Sequence, residues 1–212
     1  MNLNEFLEGI KSKERCTDCD FKSKLEIEPA LIPPPTEIVG IVISRDPTVR
    51  WMHFYKYIEN EPQEDIRRKM LFASAIPLAL INRILEFGEI TEDGCLFDMV
   101  FQNVYWTHLH KCFTDPNGKG PIKSKKINLQ LCANFWLDEE LGYAIGKKTK
   151  FIIALGKDVE KWFNKRENKW KDRVQIIYLP HPSGRNRKWN NKDDKNIKKT
   201  IRDLFKLCRT VT

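Results

Sequence analysis

No apolar run in this chain is long enough to cross a bilayer, and the polar opening MNLNEF lacks the apolar stretch of a signal peptide. A spanning or secreted protein is therefore not expected; the reading is an intracellular protein with no membrane partner. A linker is missing too. The 212 residues suffice for one well-buried core, so a single domain over 1–212 is expected, with 1–35 as an N-terminal arm and 36–212 as the core. Glycines and lysines occur together in DPNGKGPIKSKK, but not in the Gly-x-x-x-x-Gly-Lys-Ser/Thr spacing, which excludes a nucleotide-hydrolysing loop. No flavin or nicotinamide fingerprint supports a redox sensor. Acidic residues are outnumbered, 29 against 37 basic, for a net charge of +8. A polyanion such as nucleic acid is the natural partner, although a solvated basic surface would have the same composition.

What the chain does contain is arranged around Glu37 to Thr48, EIVGIVISRDPT. Ile38, Val39, Ile41, Val42 and Ile43 form a β-branched run that suits a strand buried on both faces of a parallel sheet, and Pro33 to Pro35 stop anything regular before it. Asp46 then follows the strand's carboxyl end, where open α/β sheets place ligands and chemistry. The same Asp-Pro pair is also an ordinary turn. Further strands are expected at Met99 to Thr107, Lys150 to Leu155 and Arg173 to Leu179, and the last runs into His181-Pro182-Ser183. Helices are expected over Asn2 to Lys13, Glu64 to Phe87 with a break near Pro77, Ile127 to Ile145, from Gly156 to about Lys165, and over Asp193 to Leu207. Strands alternating with helices predict a three-layer α/β/α sandwich on a central, mainly parallel four-stranded sheet.

Six cysteines in an intracellular chain point to metal binding sooner than to disulfides. Cys16-Thr17-Asp18-Cys19 offers two thiolates to one centre, and the second half of a zinc-finger pattern does not follow it. Any further ligands come from far away among Cys95, Cys112, Cys132 and Cys208, and spacing alone separates neither these nor zinc from iron-sulfur. His108 and His110, at i and i+2, could pair on a metal, but no carboxylate or third histidine lies nearby. The aromatic stretch Val49 to Tyr57 offers Trp51 and Phe54 for stacking on bases, or for the core.

Taken together, the loop after the first strand and the one after the last resemble those of the uracil-DNA glycosylase superfamily. One branch spells the first motif Gly-Gln-Asp-Pro-Tyr-His, against Ser44-Arg45-Asp46-Pro47-Thr48 here, and the second motif, His-Pro-Ser, matches His181-Pro182-Ser183 unchanged. Its continuation through Gly184-Arg185-Asn186 is most similar to the single-strand-selective branch. The cysteines resemble the iron-sulfur family 4 and 5 branch, which carries an early Cys-x-x-Cys, a Lys-Cys after the second strand and a Cys on the next helix. Cys16, Cys19, Lys111-Cys112 and Cys132 fall in that order.

The resemblance implies a monofunctional DNA glycosylase of base excision repair that flips a deaminated base out of DNA and hydrolyses its N-glycosyl bond. It casts Asp46 as the group that orients water and stabilises the cation-like sugar, and His181 as hydrogen-bond donor to the departing base. His108, Thr48, Trp51 and Phe54 would contact the base; Ser183, Arg185, Asn186, Arg187 and Lys188 would hold DNA. A structural 4Fe-4S cluster on Cys16, Cys19, Cys112 and Cys132 and a monomeric state are also implied. The family 4 spelling Gly-Glu-Ala-Pro-Gly is absent, and His108 stands where the family reads uracil with Asn. The alternative is a catalytically weak or inactive iron-sulfur protein that binds damaged or single-stranded DNA on the same fold.

Overall fold

In the computed structural model the described residues are 1–12, 16, 29, 31–47, 57–58, 60–73, 75–88, 102–112, 132–183 and 186–209. Four five-residue strands, β1 (Gly40–Ser44), β2 (Val104–His108), β3 (Phe151–Leu155) and β4 (Gln175–Leu179), form one sheet in the order β2-β1-β3-β4. Every pairing is parallel. The expected sandwich is therefore present, and the sheet is parallel throughout. All four carboxyl ends lie on one edge.

Buried side chains leave β1 alternately to two sides, which is what a strand covered on both faces requires. Val42 joins Trp106, Ile153 and Leu179 in one core, under α2 (Gln63–Ala73), α3 (Ala75–Gly88) and α7 (Lys195–Arg209). Ile41 and Ile43 join Tyr105, Ile152 and Ala154 in the other, under α1 (Leu3–Lys11), α4 (Asp138–Ala144) and α5 (Lys157–Asn164). Gly40 permits the close packing of β1 on β3, since a Cβ there would sit 2.2 Å from the Phe151 ring.

The helix expected over Glu64 to Phe87 with a break near Pro77 is indeed two helices, the second beginning at Ala75, two residues before Pro77. Pro77 sits in the first turn of α3, where a backbone N–H has no intrahelical partner to lose, so the ring costs little there. Asn2 caps α1 by accepting the Glu5 amide, and the Glu5 side chain returns the bond to the Asn2 amide. A π-helical turn, Ala133–Leu137, precedes α4, a short helix α6 (Glu167–Trp170) precedes β4, and a 3-10 turn, Arg187–Asn190, precedes α7. No single helix among the described residues is long and apolar enough to cross a membrane.

Candidate active site

The carboxyl edge of the sheet opens into a cavity of about 410 Å3. Each strand supplies part of its wall: Ser44, Arg45 and Asp46 after β1, His108 at the end of β2, Leu155, Gly156, Lys157 and Asp158 after β3, and His181 and Ser183 after β4. Parallel pairing sets Ser44 level with His108, and the pairing carries on past the strands through Leu109 N–H to Ser44 O and His110 N–H to Arg45 O, both 2.9 Å. The two loops are thus fixed against each other by backbone alone.

Asp46 is held in a forked contact by Arg45, Nε to Oδ1 at 3.0 Å and Nη2 to Oδ2 at 3.3 Å. That hydrogen bond lifts the guanidinium above its ordinary value against the opposing effect of burial, and the Asp158 charge adds to it. The carboxylate stays accessible, with 22% of its side-chain surface exposed. Across the cavity, the Ser183 amide donates to Nδ1 of His181 at 3.3 Å. A neutral imidazole accepting at Nδ1 carries its proton on Nε2 and so presents a donor there. Burial holds His181 below its ordinary value, reinforced by Arg45 and opposed by Asp46, which favours that neutral ring. The His181 carbonyl accepts from Trp189 Nε1 at 3.1 Å and Asn186 Nδ2 at 3.2 Å. Gly156 beside it adopts φ 85, a backbone conformation that favours glycine, while a Cβ there would make only ordinary contact with the His181 Cβ at 3.4 Å.

His108 lines the cavity at 3% exposure. Burial pushes it well below its ordinary value, with the charges of Lys111, His110 and His181 acting the same way. His110 is turned away into the interior, where Nδ1 donates to the Cys112 carbonyl at 2.7 Å. Behind β2 lies a buried polar cluster that the sequence did not signal. Lys111 pairs with Glu140 of α4 and donates to Thr107 Oγ1 at 2.6 Å, while Tyr105 and Thr107 donate to Glu140 Oε1 at 2.6 and 2.7 Å.

Of the remaining residues singled out from the sequence, Ser183 lines the cavity and Arg187 and Lys188 are exposed beside it. Asn186 uses both ends of its amide within the loop, donating to His181 O and accepting the Lys188 amide at 3.2 Å. Thr48, Trp51, Phe54, Arg185 and Cys19 lie outside the described residues. Cys16 and Cys132 pack against the same core below α1, and an antiparallel bridge from Pro29 to Cys112 brings the N-terminal arm to the β2 loop. Among the described residues, however, no group of three or more His, Cys, Asp or Glu is placed to hold a metal, so Cys16, Cys112 and Cys132 do not by themselves make a site. The charged cavity residues that sequence reasoning passed over are Arg45, Lys157 and Asp158. The rule that chemistry gathers at strand ends reaches all three, because each is within three residues of one.

Over residues 59–205, more than half its length, the chain matches the family model of the uracil DNA glycosylase superfamily. The chain belongs to that superfamily. No curated protein gives a significant match. The sheet order and the strand-end cavity described above are thus those of a superfamily member whose loops carry Asp46 and His181.

Proposed function

We propose that this superfamily member is a monofunctional DNA glycosylase that extrudes a deaminated base into the strand-end cavity and hydrolyses its N-glycosyl bond. The observation that carries the reading is the pairing of Asp46 and a neutral, Nε2-protonated His181 on opposite loops of one cavity. As the bond between C1′ and the base nitrogen stretches, positive charge develops on the sugar and negative charge on the base. The Asp46 carboxylate stabilises the first, orients a water whose oxygen bonds to C1′ and accepts that water's proton; the base leaves as an anion with the electron pair and takes up a proton from solvent. His181 Nε2–H donates to a base carbonyl oxygen where the negative charge collects, and its orientation is preset by Ser183, Asn186 and Trp189. Extrusion is required because the bond is out of reach inside a duplex. Arg187 and Lys188, both exposed, would hold the flanking phosphates.

Incubation with oligonucleotides bearing uracil, hypoxanthine, xanthine or a thymine mismatch, followed by cleavage at abasic sites, tests this directly. Strand scission for at least one lesion is expected. Tight lesion binding without base release would establish the binding-module alternative instead.

A structural 4Fe-4S cluster on Cys16, Cys19, Cys112 and Cys132 is a separate proposal, supported by the order of those cysteines and by the meeting of the N-terminal arm with Cys112. Hydrolysis requires no electrons, and no step above depends on it. Iron and acid-labile sulfide in anaerobically purified protein are the expected result; zinc without iron would reject it.

A further inference from the structure

We infer that the solvent face of α7 is a phosphate track for duplex DNA flanking the lesion, beyond the loop that follows β4. Lys195, Lys199, Arg202 and Lys206 recur at i, i+4, i+7 and i+11, which places them in one row, and all four are exposed. Ile197, Ile201 and Leu204 form the opposite, buried face. With half-buried Lys198 at its edge, the row lines an open groove of about 770 Å3 that contains two acidic residues, Asp193 and Asp203.

This arrangement costs the isolated helix stability. Lys195 and Lys199, Lys198 and Arg202, and Arg202 and Lys206 are like-charge neighbours at i, i+4, each unfavourable by a few tenths of a kcal/mol. The first turn holds no acidic residue to complement the helix dipole, although Asp194 caps the start by accepting the Asn196 and Ile197 amides. Lys206 meets Asp203 at 3.6 Å on the surface, and among the described residues no ion pair engages Lys195, Lys199 or Arg202. A row of bound phosphates would offset these repulsions. From Lys195 to Lys206 the helix rises about 16 Å, and one strand of B-DNA presents a phosphate about every 3.4 Å along its axis, so the row is long enough for about four contacts.

The row is also connected to the candidate site. A second groove, of about 360 Å3, is lined by Lys157, Glu160, His181 and Lys188 at one end and by Asp194, Asn196 and Thr200 at the α7 end. A duplex centred on the cavity can therefore continue onto α7 past two acidic residues, of which Asp194 is engaged in capping the helix, with Lys157 and Lys188 along the same groove.

The glycosylase reading supplies the reason for DNA to be there, but the test does not depend on base release. Lys195, Lys199, Arg202 and Lys206 are replaced together by Gln, and binding to lesion-free duplex is followed against salt concentration. The slope of log K against log salt should fall by about three to four, at about 0.9 per lost phosphate contact. A variant with Gln at four other exposed lysines, Lys147, Lys150, Lys161 and Lys171, should keep most of the slope. An unchanged slope in the α7 variant, or an equal loss in the second variant, would overturn the inference. So would loss of binding to vesicles of equimolar phosphatidylcholine and phosphatidylserine with the DNA slope intact, which would assign the face to anionic lipid.

Discussion

The Arg45–Asp46 pair at the mouth of the cavity and the Lys111–Glu140 pair behind β2 share one chemistry and differ in access to water. At the mouth, 48% of the Arg45 and 22% of the Asp46 side chain is exposed; behind β2 the corresponding values are 2% for Lys111 and 0% for Glu140. An exposed pair contributes about 0 to 1 kcal/mol, so Asp46 can turn toward substrate and water at little cost. A buried pair is different: neither charge can be left alone without a large desolvation penalty. The fold therefore keeps one carboxylate available for chemistry and commits the other to locking α4 onto the strand that delivers His108.

The largest expected effect comes from breaking the committed pair. Lys111→Met leaves Glu140 buried with only the hydroxyls of Tyr105 and Thr107, and should cost about 3 to 5 kcal/mol in unfolding free energy. The Tyr105 phenol cannot take over the charge, because burial first, and then the Glu140 carboxylate, push it well above its ordinary value. Adding Glu140→Leu to the same chain should recover much of the loss. Urea unfolding of the single and double variants checks this, and a double variant as unstable as the single one would mean that packing, not charge, sets the cost.

At the mouth the expectation is reversed. Asp46→Asn and His181→Ala should each slow base release about a hundredfold, equivalent to about 2.7 kcal/mol in the barrier, with DNA binding nearly intact. For Asp46→Asn the change in unfolding free energy should stay within about 1 kcal/mol. Single-turnover release rates and melting curves on the same preparations separate the two regions: a loss of stability in Asp46→Asn comparable to Lys111→Met would erase the distinction.

Much of the mouth was legible in the sequence, because a β-branched run followed by Asp-Pro, and another apolar run followed by His-Pro-Ser, mark strand ends locally. The buried pair was not. Glu140 lies within the helix expected over Ile127 to Ile145, where nothing local marks it out, and its burial is decided by hydroxyls 35 and 33 positions earlier. Asn186 taught the same lesson at shorter range. It reads as a DNA contact beside Arg185 and Arg187, yet its amide is engaged on His181 and Lys188. Patterns report which residues reach a strand end; they do not report which polar groups tertiary packing will consume.

Acid should weaken the molecule through the histidines that link the two regions. His108 and His181 are both held below their ordinary value, chiefly by burial. In the window between that folded value and about 6.5 the unfolded chain binds more protons than the folded one, so stability falls as pH falls. Above about 6.5 this contribution is fully present. Melting temperatures from pH 7.5 downward should therefore decline below about 6.5, and His108→Asn should flatten the decline.

The smallest expected change, in selectivity alone, concerns the same residue. An Asn side chain offers a donor and an acceptor side by side, which fits the adjacent N3–H and O4 of uracil. A neutral imidazole has its donor and acceptor on opposite sides of the ring and can reach only one of those atoms. Burial and the neighbouring Lys111, His110 and His181 charges keep His108 in that neutral form at the cavity wall. With one contact in place of two, discrimination between uracil and cytosine should weaken by a part of the about 1 to 3 kcal/mol that a paired contact supplies. His108→Asn should restore it, raising the preference for uracil about tenfold while leaving the buried pair and the fold undisturbed. Competition between uracil and cytosine substrates in one tube is the sensitive measurement. An unchanged ratio would remove His108 from base reading and leave it as part of the wall that Lys111 and Glu140 hold in place.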